Sequence, residues 1–398
     1  MKKSDENRMS NPGTTGRVKA AHTLARRRHL PQALLGGAAV ILLALSSCAG
    51  RYVASRTEDA AGVGARTEAA ALSDTTSLAS QLHGDVTSAL GVEKKASEAP
   101  SLVREVADGK RRVASAAWWG YNWKDATEAL QRALRSDAEI ILVPDMGRPW
   151  EIGPVSFAGN KTVVFEPGVV VEAKEGAFRP TESAMFSAAN LDNLVVYGYG
   201  ATIRMRRADY EGSLYQRSST RHAMVLSGLR DSAVIGLTIE EAGGDGILIG
   251  PSDRRFVSRN VTVQDVTARK NSRQGITVVS GENIAIDHCE ISQNASRLRD
   301  AGLSFEPADA LNKLIDCTVT HTAVVRGVGS GIRAALSELD ETSDPVSITV
   351  KDSVSAGNTV CLAVTARTGA RGVITVTGTE LNGPKRLKPA AELEVNIE

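Results

Sequence analysis

The chain has 398 residues, a formal net charge of +1, 36 glycines, four cysteines and only 4% aromatic residues. The near-neutral charge argues against a dedicated nucleic-acid-binding protein, which usually carries a strong basic excess. Four cysteines are too few for a disulfide framework in a chain of this length.

The N-terminal segment has the pattern of an export signal. Residues 1–29 are polar and basic, and residues 32–47 form a mostly apolar run that is short for a membrane span of about 20 residues. The run ends in Leu45-Ser46-Ser47-Cys48, which resembles the lipobox of bacterial lipoproteins and implies a lipid on Cys48. The alternative is an uncleaved single-pass anchor. Both interpretations place the protein in the cell envelope, lipid-anchored or secreted beyond the cytoplasmic membrane, with residues 1–48 as leader or anchor.

Residues 49–115 are rich in Ala, Ser, Thr and Glu and show no sustained strand pattern, so we predict a flexible tether there. The folded domain is predicted over residues 116–398. It opens with a helix that ends at about Arg135, with Asp125 predicted as its N-terminal cap. Such a helix would cover the open end of a sheet, which is the edge most prone to aggregation.

A short phrase recurs through the middle of the chain, with a small residue followed by apolar residues at alternate positions. Its small residues are separated by 23, 29, 27 and 29 residues and stand at Ala223, Gly246, Gly275, Gly302 and Gly331. Period-2 alternation between glycines and asparagines indicates strands, and strands that recur at this interval stack on their neighbours. The pattern predicts an all-β fold: a parallel β-helix, or solenoid, with an N-terminal capping helix.

Two other features recur on the same repeat. Asn193, Asn260 and Asn283 each precede a strand, which predicts a ladder of side-chain amides that satisfies buried backbone groups. Cys289 and Cys317 are predicted to be buried thiols in similar places on neighbouring coils, packed as small apolar residues.

Aligning the repeats brings ionisable residues together at the entry to one strand. Successive coils are about 4.8 Å apart, so residues one or two positions before each phrase form one patch. Its members are Arg221, His222, Asp245, Arg273, Gln274 and Asp300. Salt bridges that hold the coils in register would give the same pattern, so a structural role stays open beside a catalytic one.

Two chemistries fit the patch. In a hydrolase, Asp245 and Asp300 would be the acid and the base, since two coils separate them by roughly 9–11 Å. In a lyase, His222 would be the base held by Asp245, while Arg273 with Gln274 would neutralise a uronate carboxylate. Arg221 is a further candidate for binding that carboxylate.

Two residues outside the patch are assigned to substrate binding. Glu306 lies five positions along its strand, about 16 Å from the patch, so we expect it to line the groove without pairing with Asp245. Tyr210 stands in a polar insertion, residues 206–221, which is predicted to project as a loop on the binding face.

Several phrases resemble the right-handed parallel β-helix proteins of the pectate-lyase superfamily in bacteria. They include Gly243–Ile247, Asn271–Ile276, Ala301–Pro307 and Val164–Gly168. The resemblance spans about residues 118–335 and implies the right-handed fold, with activities that range from lyase to non-catalytic. Asp245-Gly246-Ile247 matches part of the first acidic motif of polygalacturonases, but Arg273-Gln274-Gly275 stands where a paired Asp would be needed. Ser304 stands where related chains carry an acid.

These observations predict an enzyme that cleaves glycosidic bonds of an acidic polysaccharide, by β-elimination or hydrolysis. The alternative is a non-catalytic glycan-binding or cell-surface structural protein. The expected partners are a polysaccharide and, through the N-terminal lipid or anchor, a membrane, with no nucleic acid. No cofactor or metal ligand set is indicated. Calcium stays possible, although the sequence shows no compact acidic cluster that would bind it.

Overall fold

The computed structural model describes residues 81–253, 256–295 and 297–398. Cys48, the predicted leader and the tether up to residue 80 lie outside these ranges. Three parallel sheets run the length of the described chain, with 11, 9 and 9 strands. Each strand pairs with strands of the neighbouring coils, so the predicted parallel β-helix is confirmed.

The strands are numbered in chain order and fall into sheets A, B and C. Sheet A contains β1 (Val113–Ser115), β2 (Ile140–Val143), β5 (Lys161–Phe165), β8 (Leu194–Tyr197), β11 (Arg230–Ile235), β14 (Ser258–Gln264), β17 (Gly281–Asp287), β20 (Leu314–Thr320), β23 (Val346–Lys351), β26 (Gly372–Thr377) and β29 (Leu393–Ile397). Sheet B contains β3 (Trp150–Ile152), β6 (Val170–Ala173), β9 (Thr202–Arg204), β12 (Thr238–Glu240), β15 (Thr267–Arg269), β18 (Glu290–Ser292), β21 (Ala323–Val325), β24 (Val354–Ala356) and β27 (Glu380–Asn382). Sheet C contains β4 (Val155–Ser156), β7 (Glu182–Ala189), β10 (Thr220–Ser227), β13 (Ile247–Gly250), β16 (Ile276–Val278), β19 (Ala301–Phe305), β22 (Ser330–Leu336), β25 (Val360–Ala366) and β28 (Lys385–Lys388).

Helices cover the first coils. They are α1 (residues 81–90), a 3-10 turn at Gly91–Lys95, α2 (Pro100–Ala107), a second 3-10 turn at Ala116–Trp119 and α3 (Thr127–Arg135). A further short helix, α4 (Arg207–Glu211), lies between β9 and β10. The predicted end of α3 at Arg135 is confirmed. Its cap differs from the prediction: Asp125 accepts from the Thr127 amide and hydroxyl, in a turn that precedes the helix.

The tether predicted for residues 49–115 is wrong from residue 81 onward. Leu82, Val86, Leu102 and Val106 are buried against the first coil, and β1 pairs with β2. Within each helix these apolar positions are four residues apart, which is helical spacing, and the alanine-rich composition around them masked that signal. The folded domain therefore begins before residue 116.

The strand register confirms the alignment of the recurring phrase. Met224 pairs with Ile247, Ile247 with Ile276, Ile276 with Leu303 and Leu303 with Ile332. Each of these five side chains is buried in the core. The small residue before each of them therefore lies in one column, which places the polar residues that precede it.

The asparagine ladder forms, but on the outside. Asn193 donates to Asn160, Asn260 to Asp231 and Asn283 to Asn260, and all three bonds are exposed. These residues have φ between 50° and 56°, the left-handed region that Asn and Asp tolerate best. Their role is to turn the chain into sheet A, and the prediction that they satisfy buried backbone groups is wrong.

A second, internal ladder has that role. Asn294 is buried, its Oδ1 accepts from both the amide and the Nδ2 of Asn271, and its Nδ2 donates to the Ala268 carbonyl. Asn271 Oδ1 in turn accepts from the Ala242 amide on the previous coil. Three coils are thus joined through side-chain amides that close the turn between sheets B and C.

Asn294→Ala is expected to lower the free energy of unfolding by about 2–3 kcal/mol, because it leaves buried donors and acceptors without partners. Urea denaturation of the two proteins measures the difference. Asn382→Ala removes an exposed asparagine from β27 and is expected to stay within about 0.5 kcal/mol of the parent. Equal stability of the two variants would contradict a structural role for the internal ladder.

Cys289 and Cys317 are free and fully buried, as predicted. They do not occupy similar places: Cys317 lies in β20 opposite Ile284, whereas Cys289 lies in the turn before β18.

Among the described residues no helix is long and apolar enough to span a bilayer.

Candidate functional site

A cleft of about 570 Å³ opens where the insertion meets the entry to sheet C. The insertion holds α4, leads into β10 and contributes Tyr210, Glu211 and Arg217 to the cleft lining. The cleft-lining residues are Tyr210, Glu211, Arg217, Ser218, Ser219, Gly243, Ser272, Arg273, Arg297, Arg299, Asp300, Glu306 and Arg333. Five of them are arginines and three are acids, so the cleft has an excess of positive charge.

The predicted site residues divide into two groups. Tyr210, Arg273, Asp300 and Glu306 line the cleft. The other four, Arg221, His222, Asp245 and Gln274, are buried behind its wall. The sequence pattern therefore located the right coils. Burial alone does not separate the two groups, because Asp300 and Tyr210 are about as buried as His222; what differs is whether the side chain faces the cleft.

Arg273 joins the two groups. Its Nη1 lies 3.6 Å from Asp245 Oδ2 and its Nη2 lies 3.2 Å from Glu306 Oε2. Glu306 lines the groove as expected, but it is also linked to Asp245 through this one guanidinium. The expected separation of about 16 Å was a distance along the backbone. The long side chain of Arg273 bridges the two carboxylates by contacting both of them.

Glu306 is the most densely contacted carboxylate of the cleft. Its Oε2 accepts from Gln274 Nε2 at 2.9 Å and from Arg333 Nη2 at 2.6 Å. Ser304 Oγ lies 3.4 Å from the same oxygen and 3.2 Å from Arg333 Nε. Ser304 and Arg333 are paired across β19 and β22. Ser304 carries no carboxylate, so Glu306 supplies the negative charge beside Arg333.

His222 is held differently from the prediction. Its Nδ1 accepts a hydrogen bond of 3.0 Å from the backbone amide of Asp245, and the Asp245 carboxylate is 3.4 Å from the same nitrogen. Burial lowers the pKa of His222, and this opposes the raising effect of Asp245. A neutral imidazole whose Nδ1 accepts carries its proton on Nε2, so Asp245 does not orient His222 as a base.

Asp245 itself is fully buried. Its Oδ1 accepts from the backbone N–H of Gln274 at 3.1 Å, and its Oδ2 faces Arg273 and His222. A carboxylate with no exposed surface does not contact a ligand in this conformation, so the predicted acid or base role for Asp245 is not supported. It fixes Arg273 and the start of the next coil instead.

Arg221 is also fully buried, and its prediction as a ligand for a substrate carboxylate is wrong. Its Nε donates to the Phe178 carbonyl at 2.8 Å, and its Nη2 donates to the carbonyls of Arg179 and Gln216. Its guanidinium lies 5.6 Å and 5.5 Å from the ring centres of Tyr210 and Tyr215. Arg221 therefore fastens the insertion to the solenoid.

Asp300 is the cleft carboxylate whose pKa is raised. Burial raises its pKa above the usual value, against the opposing effects of Arg273, Arg297, Arg299 and Arg333. Such a group keeps its proton to a higher pH than an exposed aspartate, which is a property of general acids. Its place in the patch was predicted from the register.

Arg217, Arg297, Arg299 and Arg333 were missed by the sequence analysis. Arg217 lies in the insertion and the pair Arg297 and Arg299 lies in the loop before β19. Only Arg333 stands on a repeated strand, two positions beyond Gly331, where its column partner Ser304 gives a signal that could have found it. Loop residues have no register, so their convergence on one cleft could not be derived from the repeat.

The cleft carboxylates do not assemble an oxygen cage of the kind that calcium uses. Glu306 faces two guanidinium groups, and four arginines act on Asp300. These surroundings favour an anionic ligand.

The fold and the cleft define a right-handed parallel β-helix protein with a cationic groove. Residues 223–385 match a family model described as the right handed beta helix region. No curated protein sequence matches the chain.

Solved structures share this fold. An iota-carrageenase of family GH82 from A. fortis has a TM-score of 0.51 at 15% identity, over 63% of this chain and 57% of that chain. A 1,3-alpha-1,4-beta-D-galactose-4-sulfate-3,6-anhydro-D-galactose-2-sulfate 4 galactohydrolase has a TM-score of 0.50 at 14% identity, over 63% and 60%. An iota-carrageenase complexed to iota-carrageenan fragments gives 0.50 at 14%, over 64% and 56%. The chain thus spans less than two thirds of each of these structures, and the similarity establishes the fold.

Proposed function

We propose that this protein binds an anionic polysaccharide in the cleft and hydrolyses its glycosidic bonds. The observation that carries the proposal is the composition of the cleft, with five arginines against three acids. Arginine binds carboxylate and sulfate oxygens through paired N–H donors, so several arginines along a groove favour a chain of repeated negative charge.

Hydrolysis is favoured over β-elimination because of the groups that reach the cleft. Asp300, whose pKa burial raises, would protonate the leaving oxygen, and the Glu306 carboxylate would activate water or stabilise the positive charge of the sugar ring. Elimination needs a base, and the predicted base, His222, does not line the cleft and has its Nδ1 already accepting a hydrogen bond.

Incubation with a panel of uronate-containing and sulfated polysaccharides tests the reaction. We expect new reducing ends without the ultraviolet absorbance of unsaturated uronates, because hydrolysis creates no double bond. Carrageenans belong in the panel because two of the structurally similar proteins carry that substrate in their names. Absorbance that rises together with reducing ends would contradict hydrolysis.

A second candidate is a non-catalytic glycan-binding protein. The observation that favours it is the pairing of Glu306 with Arg273 and Arg333, because two guanidiniums already contact the carboxylate oxygen that would have to activate water. Retention of an anionic glycan by a folded protein that releases no reducing ends would support this alternative.

We also propose that the N-terminal leader exports the protein and that a lipid on Cys48 holds it at the cell envelope. The proposal rests on the apolar run and on Leu45-Ser46-Ser47-Cys48. Cys48→Ser is the variant that tests it: the protein should leave the membrane fraction, and unchanged fractionation would favour an uncleaved anchor.

A further inference from the structure

A histidine pair lies at the corner between sheets A and B, on a different turn from the cleft. Asp287 ends β17 and pairs in register with Thr320 at the end of β20. The next residues, His288 and His321, both have a φ of 49°, and their rings stack with centres 4.4 Å apart. Each therefore stands in the same turn of consecutive coils.

One carboxylate serves both imidazoles. His288 Nδ1 lies 2.9 Å from Asp287 Oδ2, and His321 Nδ1 lies 3.0 Å from Asp287 Oδ1. The ligand atoms of the three residues all lie within 4.8 Å of one another. Zinc bonds of about 2.0–2.1 Å in a tetrahedral arrangement place neighbouring ligand atoms roughly 3.3–3.5 Å apart. The two distances from Asp287 to the histidines, 2.9 and 3.0 Å, would therefore have to lengthen only slightly to admit an ion.

The positions of these residues are fixed by the solenoid. The His288 amide donates to the Thr320 carbonyl, and the Thr320 hydroxyl donates to Asp287 Oδ1, which orients the carboxylate. The three side chains are 17–24% exposed, so solvent and ions can reach them. Preorganised ligands with a hydrogen-bonded carboxylate are typical of metal sites.

The same turn adds negative charge on both sides. The register places Asp265 one coil before His288 and Asp352 one coil after His321. Asp265 accepts from the Tyr199 hydroxyl, and Asp352 contacts Lys351 Nζ at 3.2 Å. A row of Asp, His, His and Asp therefore follows the corner, and its two outer carboxylates favour a cation between them.

We propose that Asp287, His288 and His321 bind a divalent first-row transition metal such as Zn²⁺, with water at the remaining position. Two imidazoles and one carboxylate are the ligand types that this class of ion selects, whereas Ca²⁺ and Mg²⁺ prefer oxygen ligands. The ion joins two consecutive coils and stabilises the folded state, since the unfolded chain does not hold the three ligands together.

The test is a titration of the tag-free full-length protein with ZnCl₂, followed by calorimetry and by thermal unfolding. We expect one ion bound per chain at this site and a Tm that rises by several degrees, with no rise in MgCl₂ or CaCl₂. His321→Asn should weaken zinc binding at least tenfold and remove the Tm shift. Asparagine tolerates the φ of this position, so the variant is expected to fold.

His83→Asn is the matched control, because His83 lies in α1 and belongs to a different part of the surface. It should bind zinc as the parent does. An unchanged Tm in zinc for the parent, or equal zinc binding by His321→Asn, would overturn the proposal. If His321→Asn fails to fold, Co²⁺ added to the parent protein gives the answer: ligand-field absorption bands that Zn²⁺ displaces support the site, and the absence of such bands refutes it.

Discussion

Asp300→Asn is expected to lower kcat by about 10²–10⁴-fold, the contribution typical of a general acid. Asparagine keeps the size of the side chain but has no proton to give to the leaving oxygen. Initial rates of reducing-end formation measure the effect on the best substrate of the panel. KM should change less than kcat, because the arginines that hold the substrate remain.

The pH profile gives a second readout. Burial raises the pKa of Asp300, so the protonated form persists to a higher pH than in an exposed aspartate, and activity should fall as pH rises through that pKa. In Asp300→Asn the residual activity should no longer fall over this pH range, so the alkaline limb of the profile should disappear. A loss of activity with the limb unchanged would assign the acid to another residue.

Asp316→Asn is the matched control for this variant. Asp316 is exposed, has a φ of 51° that asparagine also tolerates, and lies opposite Asn283 in sheet A, away from the cleft. Activity should be unchanged in this control. If Asp300→Asn and Glu306→Gln are both fully active, the proposed roles of these two carboxylates in hydrolysis are wrong.

Arg221→Met is expected to lower the free energy of unfolding by about 3–5 kcal/mol. The methionine keeps an apolar stem against the two tyrosines but leaves three carbonyl acceptors without the charged donor that served them. Because Arg221 fastens the insertion, glycan binding should weaken together with stability. Urea denaturation and a glycan-retention assay measure the two effects.

Arg259→Met provides the comparison. Arg259 pairs with Glu282 on the surface of sheet A, and exposed pairs of this kind contribute about 0–1 kcal/mol. A similar loss of stability in both variants would show that burial of Arg221 is not what matters. Parent-like stability of Arg221→Met would contradict its anchoring role directly.

The solenoid was predictable from the sequence because its main signal is periodic. The column that contains Met224 and Ile332 follows from counting residues between glycines, and the structure reproduces it. The helices between residues 81 and 107 were not recognised, since alanine-rich helices and flexible tethers have similar compositions. Periodicity reports which residues stack and carries less information about how the first coil is covered.

The site was predictable only in part, for a related reason. Register placed Arg273 and Asp300 beside the cleft, but it could not show that Asp245 and Arg221 are buried. Side-chain length and loop paths decide those outcomes, and neither has a period. Glu306 illustrates this, because its link to Asp245 runs through an arginine and not through the backbone positions that register determines.

Among the described residues each strand pairs only with strands of the coils directly before and after it, and this limits how far a perturbation travels. Free-energy changes at distant coils should add, because repeat proteins behave as one-dimensional arrays of nearest-neighbour interactions. Arg221 on β10 and His321 beyond β20 lie several coils apart, so in the presence of Zn²⁺ the Arg221→Met, His321→Asn double variant should show the sum of the two single changes in stability. Amide exchange should likewise open the molecule in segments of a few coils. The insertion is held by Arg221 and by a few further hydrogen bonds, such as those from Arg207 to the Lys270 carbonyl and from Ser218 to the Thr181 carbonyl. It is expected to open separately from the central coils.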